Sequence, residues 1–95
     1  MTLAEAKEAF KTIIQGRHDH NGTSATADLA RIDAAPDKVA AWTAAKAILA
    51  VLPTPETQGC CTYTFGGHAF QITMTKTECD QTPVPHNFDP TRPCS

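Results

Sequence analysis

The chain has no cysteine before residue 60 and no cluster of basic residues. It has no apolar run long enough to cross a bilayer and almost no serine. Each lack excludes something. Eight Lys and Arg are scattered against ten Asp and Glu, for a net charge of -2. That leaves no basic footprint for nucleic acid and none for an anionic membrane surface. The longest apolar stretch, residues 39–52, is alanine-rich and interrupted by Lys46, so no membrane span is expected. The N-terminal MTLAEAKEAF lacks a basic region followed by an apolar one, so no signal peptide is read there.

Catalytic patterns are equally sparse. There is no G-x-S-x-G, and of the two serines Ser24 falls in a polar stretch and Ser95 is terminal. No glycine-rich loop leads into a helix, no carboxylate pair stands at a suggestive spacing, and C-x-x-C is missing. The expectation is a protein that is not an enzyme, with no cofactor and no small-molecule substrate.

What is present reads as a small α+β domain over residues 1–95: a helical part at 1–52, a linker at 53–59, a β-hairpin with a short helical turn at 60–79, and an extended tail at 80–95. Thr2 and Glu5 have capping-box spacing. Leu3, Ala6, Phe10, Ile13 and Ile14 recur on one helical face, which predicts a helix over 3–15 ended by Gly16. Residues 16–26, GRHDHNGTSAT, read as loop by composition. A short helix is expected at 25–33, with Leu29 and Ile32 inward. A third follows at 36–52, with Pro36 near its first position and Asp37 at the positive end of its dipole. Its inward side is read as Ala41, Ala44, Ala45, Ile48, Val51 and Leu52, with Trp42 and Leu49 at the margin. Pro53 and Pro55 end it.

Residues 60–65 and 68–75 alternate strictly around Gly66-Gly67, the pattern of a two-residue hairpin. That register pairs Phe65 with His68, Tyr63 with Phe70 and Cys61 with Ile72. These six residues and Met74 share one face. The other face carries Cys60, Ala69, Gln71 and four threonines: Thr62, Thr64, Thr73 and Thr75. The predicted core joins Tyr63, Phe65, Phe70 and Ile72 to Phe10, Ile14, Ile48 and Leu52. Thr75 and Glu78 repeat the capping-box spacing and predict a helical turn bearing Cys79. The tail holds Pro83, Pro85, Pro90 and Pro93, excluding helix and central strand, and ends in Cys94.

Cys60, Cys61, Cys79 and Cys94 are expected to form two disulfides. A hairpin alone is marginal in water and the tail has almost no core of its own. Adjacent strand residues face opposite ways, so Cys60 and Cys61 each pair with Cys79 or Cys94. Two connectivities remain, and Cys61–Cys79 is favoured because Cys61 lies on the core face. The cysteines place the chain in an oxidising, extracytoplasmic or extracellular setting.

A competing reading makes it a small zinc or copper protein. It would use the cysteines with His18, His20 and His86. Zinc sites usually space their cysteines by two to four residues, which argues against it. Asn21-Gly22-Thr23 matches N-x-[ST], a short pattern. The flat, uncharged threonine face (Thr62, Thr64, Thr73, Thr75) suits a protein partner or a second copy. The hairpin edges have little charge or proline to protect them, so either the tail or a neighbouring chain must cover one. The expected role is a disulfide-stabilised structural or interaction module, an accessory subunit of an extracytoplasmic, virion or filament assembly. A stapled inhibitor or toxin-like module, presenting residues 64–69 as its probe, is a third reading.

Overall fold

The computed structural model describes residues 2–65, 68–81 and 86–94. The Gly66-Gly67 turn, Pro83, Pro85, Ser95 and the side chains of Phe65 and His68 fall outside the described residues.

Helix α1 spans Leu3–Asn21 and opens on the capping box: Glu5 N–H donates to Thr2 Oγ1 at 3.2 Å and Thr2 N–H to Glu5 Oε1 at 2.9 Å. It does not stop at Gly16. Residues 16–21 are helical, and the chain turns at Gly22, whose φ of 68° puts it in the left-handed region. The cost of a helical glycine is about 1 kcal/mol. Arg17 and His18 outweigh it, because the added turns bury both side chains against bonded partners. Loop composition at 16–26 therefore misled; only the stretch from Gly22 to Ala25 is non-helical.

Helix α2 is Thr26–Asp33, with Ile32 buried and Leu29 half-buried. Helix α3 is Lys38–Val51. Asp37 is its N-cap, accepting from Ala40 N–H at 2.8 Å, so Pro36 precedes the cap rather than opening the helix. Its buried stripe is Ala41, Ala45, Ile48 and Leu49. Leu49 is thus core, whereas Val51 points outward at 79% exposure, the reverse of the sequence reading. Centring the stripe on 41, 45 and 48 leaves residue 51 beyond its margin.

Strands β1 (Gln58–Phe65) and β2 (His68–Thr75) pair antiparallel in the expected register, Cys61 with Ile72 and Tyr63 with Phe70. Thr75 caps α4 (Lys76–Asp80), again with a full capping box to Glu78. The tail is more than a strap. His86–Asp89 form β3, antiparallel to the free side of β1, giving the order β2-β1-β3. The prolines that argued against a strand flank these four residues without interrupting them, and an edge position tolerates such neighbours. β3 passes so close to β1 that a Cβ on Gly59 would run into the Asp89 carbonyl oxygen and meet the Phe88 ring at 2.7 Å.

The helices cover one face of the sheet. Phe10, Ile13, Ile14 and Ile48 meet Cys61, Tyr63, Phe70, Ile72 and Met74 in one buried cluster, with Leu52 partly buried beside it. Phe10 stands edge-on to Tyr63 at 6.3 Å, and Trp42 to Phe70 at 5.2 Å. The buried Tyr63 hydroxyl donates to Met74 Sδ at 3.5 Å.

Candidate functional site

The two staples leave β1 from neighbouring residues in opposite directions. Cys61–Cys79 lies inside the core and ties α4 to the sheet; both residues are fully buried. Cys60–Cys94 lies on the opposite face and anchors the end of the chain, where Cys94 N–H also donates to Thr73 Oγ1 at 3.0 Å. The Cα atoms are 5.8 Å and 4.7 Å apart, both within the usual disulfide range. The strap therefore crosses the face that the sequence leaves as a flat threonine array.

That crossing divides the array. Thr62 is half-buried and lines a concavity of about 270 Å³ with Asn87, Asp89 and Arg92 on one side of Cys94. Thr73 is half-buried and lines a second, of about 470 Å³, with Trp42, Lys46, Ala50 and Gln71 on the other. Thr64 is exposed beyond both. Thr75 is not part of the surface: it is buried and occupied as the α4 cap. At the β2 edge, Trp42 Nε1 donates to the Gln71 carbonyl at 3.0 Å, so α3 covers part of that edge. Lys46 Nζ lies 3.6 Å above the Trp42 ring.

The strap is also held by charge. Asp80 bonds Lys76 and, at 3.3 Å, His86 Nε2, and these contacts, Lys76 first, hold its carboxyl below the usual value. Asp89 closes the turn after β3. Its carboxylate accepts from the Thr91 hydroxyl and from Thr91 N–H at 2.9 Å, with Arg92 nearby, and its pKa is lowered in that order of causes. A carboxyl with a depressed folded pKa stabilises the fold above its unfolded value and loses that contribution as pH falls through the folded one. The strap should therefore loosen as pH falls below 3.8, the ordinary value of an aspartate carboxyl. Amide exchange of residues 86–89 should rise there before that of residues 10–14. Both carboxyls are exposed, so the effect is local; unchanged β3 protection down to the acid unfolding transition would contradict it.

His18, His20 and His86 are not brought together. His18 is 6% exposed, with Nδ1 2.7 Å from Thr23 Oγ1 and Nε2 2.7 Å from Asp28 Oδ2. Both ring nitrogens are thereby engaged, and the set clamps the end of α1 to the start of α2. The order Asp28–His18–Thr23 is that of a proton relay, but neither concavity beside the strap touches it. His20, two residues along the helix, is exposed on another face. His86 sits on β3, its ring 6.2 Å from that of Tyr63. Among the described residues no group of three or more His, Cys, Asp or Glu is placed to hold a metal ion. The four cysteines are all disulfide-bonded. In the N-x-[ST] triplet, Asn21 Nδ2 donates to the Pro53 carbonyl at 2.9 Å and Thr23 faces His18.

The sequence reading missed the main buried polar group. Arg17, 2% exposed, donates from Nε to Glu78 Oε2 at 2.9 Å and from Nη2 to Glu78 Oε1. Its Nη1 reaches the Leu49 and Leu52 carbonyls at 2.9 and 3.2 Å, capping the end of α3. Glu78 Oε1 also accepts Thr75 N–H at 2.9 Å. One ion pair thus joins α1, α3 and α4. The available signal was positional: Arg17 stands next on the stripe of Phe10, Ile13 and Ile14.

Among the described residues no helix is long and apolar enough to cross a membrane. No protein-family model, curated protein or solved structure matches this chain.

Proposed function

We propose that this is a non-enzymatic, disulfide-stabilised interaction module that works in an oxidising, extracytoplasmic compartment as a subunit of a larger assembly, such as a virion or filament. The observation that carries the reading is an uncharged outer ridge on α3. The outward positions of α3 are Val39, Thr43, Ala47, Ala50 and Val51, with no charge among them. The concavity beside Trp42, with Lys46 as its one charged lining residue, links Ala50 to Gln71 and Thr73 on the sheet. The outward side of α1, by contrast, carries Glu5, Glu8 and Asp19. Interface centres are depleted in charge and enriched in aromatic anchors such as Trp42. Small side chains on α3 allow a partner backbone to approach closely. Two disulfides support the oxidising setting.

The test is self-association of the oxidised protein. Sedimentation should show mass rising with concentration, and Ala47→Glu with Ala50→Glu, both at exposed α3 positions, should return the chain to monomer with its melting temperature nearly unchanged. A sharply monomeric profile at millimolar concentration, with the β1 and β2 amides fully protected from exchange, would contradict the reading.

A further inference from the structure

We propose that the side of β1 now covered by β3 is a strand-exchange interface for β3 of a second copy of this chain, and that the Cys60–Cys94 disulfide gates it. The inference rests on the reading of the protein as an interaction module and names one partner for it.

The two staples are placed to respond differently to a reductant. Cys61 and Cys79 are fully buried in the core. Cys94 is half-buried, and Cys60, though only 8% exposed, lies on the outer face of the sheet, where both line the concavity beside Thr62. A soluble dithiol reaches the outer bond first. One thiolate of the dithiol attacks a sulfur of Cys60–Cys94 and releases the other cysteine as a thiol. The second thiol of the reagent then resolves the mixed disulfide. The chain gains two thiols and the dithiol becomes a cyclic disulfide.

Once that bond is open, β3 is held at its four paired positions and by a few side-chain contacts. The strand has four residues, paired from Cys60–Asp89 to Tyr63–His86. Of its side chains, Phe88 packs against the core, partly buried. His86 contacts Asp80 and Tyr63. Departure of β3 uncovers the Cys60–Tyr63 edge of β1, a strand with neither charge nor proline to repel a new one. The structure shows what that edge accepts. Gly59 leaves room for Asp89, Phe88 and Pro90. Cys60 meets Cys94 and Thr73 receives the Cys94 N–H. A second copy offers the identical strand, with the same register, the same fit at Gly59 and a cysteine that can re-form the bond between chains.

The experiment uses the full oxidised chain, an equimolar mixture of unlabelled and ¹⁵N-labelled protein. It is titrated with dithiothreitol, trapped with iodoacetamide and mapped by mass spectrometry, alongside sedimentation and amide exchange. At intermediate reductant, Cys60 and Cys94 should alkylate while Cys61 and Cys79 do not. Amides of Cys60 and Thr62 should lose protection in dilute protein, and the mass should double on concentration. Reoxidation at high concentration should give Cys60–Cys94 peptides linking a light to a heavy chain. Cys60→Ser/Cys94→Ser should dimerise without reductant. Simultaneous alkylation of all four cysteines would overturn the proposal. So would a partly reduced protein and a double-serine variant that both stay monomeric with Cys60 and Thr62 amides protected. If the oxidised protein associates through contacts sensitive to Ala47→Glu while reduction adds none, strand exchange fails and the module reading stands. If only the reduced chain dimerises, through mixed-isotope linkages, the uncharged face fails and strand exchange stands.

Discussion

Replacing Arg17 by alanine should destabilise the protein by about 3–5 kcal/mol, the usual cost of removing one partner from a buried ion pair. A domain of this length has a total stability of roughly 5–14 kcal/mol, so this single change removes a large share of it. The size follows from what is left behind. Glu78 would keep its position, because its Oε1 still accepts Thr75 N–H as part of the α4 cap, but its charge, mostly withdrawn from water, would lose its cationic partner. The Leu49 and Leu52 carbonyls would lose their shared donor at the end of α3. Arg17→Lys should recover only part of the loss, since an ammonium cannot span two carboxylate oxygens and two carbonyls together. Arg17→Met with Glu78→Gln should cost less than the two single changes summed, because neither buried group is then charged and unpaired. Urea unfolding under non-reducing conditions measures each of these variants. A loss below about 1 kcal/mol for Arg17→Ala would mean that water reaches Glu78 and screens it.

The same residue shows where the sequence could be read and where it could not. A strand alternates with period two, so one correct turn fixes every face. This is why the partners of Cys61 and Tyr63 and the inward set Phe70, Ile72 and Met74 were legible from residues 60–75 alone. The capping boxes at Thr2 and Thr75 were legible because their chemistry is local to four residues. The end of α1 was not. Gly16 and the polar run after it satisfy every local rule for a loop, and what overrides them is remote: Glu78 lies 61 residues from Arg17. β3 was hidden in another way. His86–Asp89 is too short to show a period, and its strand character comes from the open side of β1 and the bond at Cys60. The threonine array was half legible. Its facing followed from alternation, but its division by Cys94 depends on that same distant bond.

These long-range ties predict unequal roles for the two disulfides, against the simplest expectation. Loop-closure entropy favours the longer loop. The 34-residue separation of Cys60–Cys94 is worth about 3.8 kcal/mol and the 18-residue separation of Cys61–Cys79 about 3.2 kcal/mol. Burial reverses that order. Cys61→Ala with Cys79→Ala removes two sulfurs from a fully buried site and adds a cavity loss of about 1 kcal/mol or more. It also frees α4, whose Glu78 is fixed to Arg17, so the buried ion pair loosens with it. Its cost should therefore exceed about 4 kcal/mol and spread through the whole fold. Cys60→Ala with Cys94→Ala meets a ceiling. β3 can leave β1 without opening the core, so the loss is limited to the free energy of that local opening, about 1–3 kcal/mol. Unfolding in urea, with amide exchange read at Ile14 and Asn87, separates the two cases. The core variant should lose protection at both positions, and the strap variant at Asn87 alone. The opposite ranking would show that chain entropy outweighs burial here, and that β3 and the core open as one unit.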